Sequence, residues 1–179
     1  MLMKVFLSIV FLVFMSSVVF AQNSFPESWK GNYKGDLLVY GVDSVRMKIS
    51  MELQIAETKN DSVYKWTIIY DFKGKKDVRA YELHIVDRSK GLYKIDEKNS
   101  IVIDSYLRNN TVLTSFFKVM NSFIIATYTK KDDTIGFEII SSASEPVSTT
   151  GKIKKGEEEI PEVNTFPVNG RQKAVLYKY

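Results

Sequence analysis

The sequence predicts an all-β fold, a single antiparallel meander of about 8–10 strands closed into a barrel. Three observations carry this. Apolar and polar residues alternate with period two through most of the chain after residue 21. Turn-forming Gly, Asn and Asp recur roughly every 8–16 residues. No stretch of a dozen residues beyond the leader holds a helical period.

Residues 1–21 read as a signal peptide. Lys4 precedes an apolar run from Val5 to Val13 that continues to Phe20, and Val19-Phe20-Ala21 supplies a cleavage site. The run is shorter than the ~20 residues needed to span a bilayer. The expectation is an exported chain, periplasmic or secreted, with cleavage near Ala21 and no transmembrane segment afterwards. Export also changes the composition. The whole chain has 179 residues, net charge +4 and 45% apolar residues. Without the leader, 158 residues remain, the charge is +3, and the apolar share is about 40%.

Residues 22–179 form the predicted barrel domain. Its clearest strand is Val45 to Ile55, where Val45, Met47, Ile49, Met51, Leu53 and Ile55 alternate with Arg46, Lys48, Ser50, Glu52 and Gln54. A helix would put Arg46, Ser50 and Leu53 on one stripe, so a half-buried antiparallel strand fits better. Before it, Trp29, Gly31, Tyr33, Gly35, Leu37 and Val39 share one face of a first strand. After it, Tyr64, Trp66, Ile68 and Tyr70 share a face. Further strands are expected at 78–86, 92–96, 101–107, 111–119, 123–129, 135–140 and 173–178. Turn signals such as Lys73-Gly74, Asn109-Asn110 and Asp132-Asp133 fall between them. Residues 141–170 break the rhythm: they hold three of the four prolines and a Lys-Lys-Gly-Glu-Glu-Glu run. The reading is a long surface loop before the last strand, with a lid over one barrel mouth as the functional alternative. Closure removes the two exposed edges of an open sheet; an open or sandwich arrangement of the same strands also fits.

Trp29-Lys30-Gly31-Asn32-Tyr33-Lys34-Gly35, opening the domain after a short polar leader, resembles the Gly/Trp-containing first strand of the calycins, the superfamily of lipocalins and fatty-acid-binding proteins. The order differs: lipocalins have Gly-x-Trp and this chain has Trp-x-Gly. Their later Thr-Asp-Tyr motif and C-terminal helix find no match. The resemblance implies a lipocalin-like barrel that carries a small hydrophobic molecule.

Composition excludes several functions. With no Cys there are no disulfides, zinc–cysteine sites, iron–sulfur clusters, cysteine nucleophile or lipid-anchoring cysteine at the cleavage site. One histidine, His84, excludes a multi-histidine metal site and reads as a rim or exposed residue. The small charge gives no case for nucleic acid. No Ser–His–Asp order, phosphate loop or nucleotide fingerprint is present. The expectation is therefore a non-enzyme without cofactor.

The ligand candidates lie on strand faces. Arg79 and Tyr81 share a face with Asp77, Leu83 and Ile85. Facing inward, Arg79 requires a partner, for which Glu138 is a candidate, and can hold a carboxylate by paired hydrogen bonds. Facing outward, it is merely solvated. Trp29, Tyr33, Trp66 and Tyr93 are candidate wall residues; core packing is their competing role. The expected function is an exported barrel binding a small, partly hydrophobic molecule, an acidic one among the candidates. The alternative is an exported interaction module that binds protein or glycan through its surface.

Overall fold

A computed structural model describes residues 24–179; the predicted signal peptide and cleavage site lie outside the described residues. A 3-10 turn at Glu27–Trp29 leads into β1 (Gly31–Tyr40), β2 (Val45–Glu57), β3 (Val63–Phe72), β4 (Lys75–Asp87), β5 (Leu92–Asp96), β6 (Val102–Arg108), β7 (Val112–Val119), β8 (Ser122–Lys131) and β9 (Thr134–Ala143). Four short strands follow: β10 (Ser148–Thr150), β11 (Ile153–Lys155), β12 (Glu158–Ile160) and β13 (Val163–Thr165). The last strand is β14 (Val168–Lys178).

Strands β1 to β9 pair antiparallel with their sequence neighbours, and β14 closes the barrel between β9 and β1. The expected ten-stranded meander is thus observed. Its closing strand pairs on both sides, Leu37 opposite Ala174 and Ala174 opposite Phe137. Closure needs β1 and β14 very close at one point. A Cβ on Gly35 would lie 2.1 Å from the Val175 carbonyl oxygen, so only glycine fits there.

The apolar face of each strand turns inward. Met51, Leu53 and Ile55 of β2 are buried beside Tyr33 and Leu37 of β1 and beside Trp66 and Ile68 of β3. Fully burying each such side chain contributes roughly 1.5–3 kcal/mol, which suits a core without disulfides.

Two departures from the sequence reading concern the ends of elements. Trp29 precedes the first strand and does not belong to it, because its 3-10 turn carries it across the end of the bore. The 141–170 stretch is not one irregular loop. Strands β9 and β14 extend into it, and between them β10 pairs with β13 and β11 with β12 as an exposed two-stranded arm. Its strands are three residues long and mostly polar, which hides them from any alternation test. The base of the arm packs on the outer wall, Phe166 meeting Phe123 edge-on at 5.6 Å.

The two ends of the barrel differ. The end that carries the turns after β2, β4, β6 and β8 is plugged by the N-terminal segment. Phe25 packs edge-on against Trp29 at 4.7 Å and Tyr93 at 4.8 Å. Trp29 donates its indole N–H to the Asn110 carbonyl, and Tyr33 donates its hydroxyl to the Trp29 carbonyl. Arg88 donates to the Phe25 carbonyl at 2.6 Å and to Glu27 Oε1 at 2.7 Å; Tyr64 donates to the same oxygen at 2.8 Å. Burial pushes the Glu27 carboxyl up, but the bonds from Arg88, its own backbone and Tyr64 prevail and hold it below its ordinary 4.5.

Two outcomes follow from these contacts. Gly35→Ala lowers stability by roughly 2–3 kcal/mol through overpacking, read as a lower urea midpoint at unchanged m-value. A lowered Glu27 pKa adds stability above its unfolded value that disappears as pH falls through the folded one. Melting temperature therefore drops as pH falls below 4.5, and Glu27→Gln starts lower at neutral pH and shows a shallower acid slope. An identical slope in the variant would show that the plug bond is energetically silent.

Candidate functional site

The other end, bearing the turns after β1, β3, β5 and β7, holds the candidate site. Side chains that face inward here are only half-buried, among them Ile49, Tyr70, Tyr81 and Ile139. The register places each of them. Residues directly opposite in an antiparallel pair share a face. Trp66 is opposite Tyr81, Ile68 opposite Arg79, and Tyr70 opposite Asp77. Arg79 therefore projects from the same face as buried Trp66 and Ile68, at the mouth, where its side chain is 46% exposed.

Arg79 does not pair with Glu138. That residue lies on the outer face, beside buried Phe137, and accepts from Arg171 at 2.8 Å. Strand period alone put Phe137 inside and so its neighbour outside. Arg79 instead binds Asp77 at 3.1 Å and lies over the Tyr70 ring, 4.9 Å from its centroid. Burial works against the Arg79 charge, but Tyr70 and Asp77 outweigh it and its pKa is raised. Burial also raises the phenols of Tyr70 and Tyr81. At neutral pH the mouth thus presents two neutral hydroxyls and one guanidinium whose partner, Asp77, is more than half exposed.

Below the mouth the bore is crossed by aromatics. Trp66 on β3 meets Tyr128 on β8 edge-on at 5.1 Å, and Tyr128 lies 4.9 Å from Phe137. In a ten-strand barrel β3 and β8 are opposite walls, so the pair forms a floor. Trp66 is fully buried and its Nε1 has no hydrogen-bond partner. The Tyr128 hydroxyl lies beside it; burial drives that phenol upward, and the Trp66 N–H draws it partly back. An unmatched buried donor costs about 1–3 kcal/mol.

The other candidates sit below this floor. Trp29 and Tyr33 belong to the plug, and Tyr93 packs on Phe25. The arrangement places Trp66, Arg79 and Tyr81 on one face of neighbouring strands, packs Trp29 against Trp66 with ring centroids 6.5 Å apart, and keeps Tyr33, Tyr93 and Glu138 away from Arg79. Tyr128 was missed from sequence; its alternation with Ala126 and Ile124 would have found it. On β6 and β7, Ser105 and Ser115 are buried and share a 2.6 Å hydrogen bond.

Three features lie outside the bore. A cleft of about 360 Å³ opens at the rim between Tyr40, Arg46, Asn169 and Arg171. A groove of about 470 Å³ runs down the outer wall past Leu38, Lys173, Val175 and Tyr177. His84 faces Glu82 at 3.2 Å and Asp96 at 4.0 Å, but Lys98 Nζ already occupies Glu82 at 3.0 Å, so the group forms an ion-pair network.

Comparison of the chain with protein-family models, with curated proteins and with solved structures finds no match.

The serine pair gives a clean test of how dry its part of the bore is. Ser105→Ala strands the Ser115 hydroxyl and costs about 1–3 kcal/mol, whereas Ser105→Ala with Ser115→Ala returns close to the parent. Chemical denaturation measures both. A single variant as stable as the parent would mean that water reaches Ser115.

Proposed function

We propose that this chain is a calycin-like carrier, a non-enzymatic barrel that holds a small, partly apolar molecule with an acidic group. The apolar part rests on the Trp66–Tyr128 floor among aliphatic walls, and the acidic group meets Arg79, Tyr70 and Tyr81 at the lip. The observation that carries this reading is the half-open mouth, where Arg79 projects from the inner face over the Tyr70 ring above an aromatic floor. A cation beside apolar walls suits a molecule with an acidic end and an apolar body. Asp77 supports it as well. Arg79 spends Nε and one terminal nitrogen on a single Asp77 oxygen, and Asp77 is exposed enough to swing away at small cost.

A second reading has its own support. Phe116, Phe123 and Phe166 cluster on the outer wall, with Phe116 largely exposed. A surface that binds protein or glycan is the function such a cluster serves.

Mass spectrometry of material extracted from the purified protein separates the two. Recovery of one recurrent amphiphilic acid supports the carrier; repeated recovery of nothing supports the surface module. With anilinonaphthalene sulfonate as an apolar acidic probe, Arg79→Ala is expected to weaken binding about tenfold at unchanged melting temperature. Trp66→Phe, which keeps an aromatic floor and removes the N–H, also weakens it. Unchanged probe affinity in both variants would reject the site.

A further inference from the structure

The four tight turns at the open end differ in kind from the four at the plugged end. At the plugged end residues 58–62, 88–91, 109–111 and 132–133 contain no large apolar side chain. At the open end three of the four turns carry one on their exposed surface, Val42, Ile101 and Met120, and Phe72 ends the strand that leads into the fourth; at the plugged end the exposed apolar residues, such as Val86 and Tyr177, belong to strands and not to turns. Val42 is 93% and Met120 90% exposed. They stand on separate tips around a ring, so they do not form one contiguous patch.

Backbone conformation gives a second, independent asymmetry. The plugged-end turns fill left-handed positions with Gly91, Asn109, Asn110 and Asp132, residues that tolerate φ near +50 to +65°. Among the open-end turns the left-handed positions include Lys73 (φ 55°) and Met120 (φ 50°). Neither type favours this conformation. Met120 gains no packing in exchange, because its side chain lies almost wholly in solvent. A strained turn with an uncompensated apolar side chain points to a contact made outside the chain.

Charge selects the contact. Arg46, Lys73, Lys75, Lys76 and Lys118 lie in or beside these turns, and none makes an ion pair among the described residues. Of the acids in or beside these turns, Asp77 is taken by Arg79, and Asp43, Asp71 and Glu97 make no ion pair among the described residues, so the five unpaired cations outnumber three unpaired acids. A ring of separate apolar tips, each able to enter independently, flanked by unpaired cations, suits a fluid anionic sheet better than a shaped protein groove. The arm between β9 and β14 springs from this same end, its base held by the Phe166–Phe123 contact.

We infer that the open end docks on an anionic lipid surface, with Phe72 and Met120 entering the headgroup layer and Lys73, Lys75, Lys76 and Lys118 meeting lipid phosphates. This does not depend on the bore holding cargo, so failure of either reading leaves the other standing.

Vesicle co-sedimentation tests it. The barrel closes within Gly31–Lys178, so protein lacking residues 1–21 is used. It is expected to sediment with phosphatidylglycerol vesicles, far less with phosphatidylcholine vesicles, and to be released by high salt. Met120→Asn and Phe72→Ser are each expected to weaken binding about tenfold. Met120→Asn should melt at or above the parent temperature, since Asn accepts the left-handed turn, and this separates loss of docking from loss of fold. The inference is overturned by absent sedimentation, by equal binding to both lipids, or by affinity unchanged in both variants. It is overturned equally by rim-dependent self-association in light scattering, which would place a second copy on the ring.

Discussion

The pairing of β14 with both β9 and β1 is the constraint on which the rest of the structure depends. Nine strands in a meander would leave β1 and β9 as bare edges, and each bare edge is a template for aggregation. The tenth strand satisfies both at once. It also fixes the circumference of the bore, and with it which walls face each other. Trp66 reaches Tyr128 because ten strands place β3 opposite β8. Gly35 is where this closure is tightest, since it lets the β1 backbone approach the Val175 carbonyl.

Closure leaves two open ends, and the chain treats them differently. One is stoppered by Phe25 and Trp29 and latched by Arg88 and Glu27. The other keeps its inner residues half-buried around Arg79. Burial of aromatics thus falls off from plug to mouth, and polar groups appear where it does. An amphiphile entering such a bore is oriented by that gradient, its apolar end toward the floor. The same gradient explains why Tyr33, Tyr64 and Tyr93 bond to plug atoms, whereas Tyr70 and Tyr81 lie by a guanidinium.

The meander was legible because most of its strands are long and one-faced. Val45 to Ile55 alternates without a break, and 45–57 is a single strand. The shared face of Arg79, Tyr81 and Leu83 follows from the same period. What period cannot supply is height along the bore. Trp29, Tyr33, Tyr93, Trp66 and Arg79 all read as inner-face candidates, yet a floor separates them into plug and mouth. Cross-strand register decides that, and register depends on turn lengths summed around the barrel. Glu138 shows a different error: its pairing with Arg79 ignored that Phe137 claims the inner face. The arm was hidden because three-residue polar strands carry no alternation, and Trp29 looked like strand because a 3-10 turn can precede a strand without breaking its period.

The Arg79–Asp77 pair is where the functional reading meets energetics. Two partly exposed charges in contact contribute little to stability, about 0–1 kcal/mol, so the pair is not there to hold the barrel. Removing Asp77 alone would leave a cation at the mouth of an apolar bore; removing Arg79 alone would leave an anion there. Together they are neutral, and the guanidinium also rests on the Tyr70 ring. On the proposed reading an anionic headgroup would compete with Asp77 for a donor already oriented, and what lies below, the Trp66–Tyr128 floor, would select the apolar part.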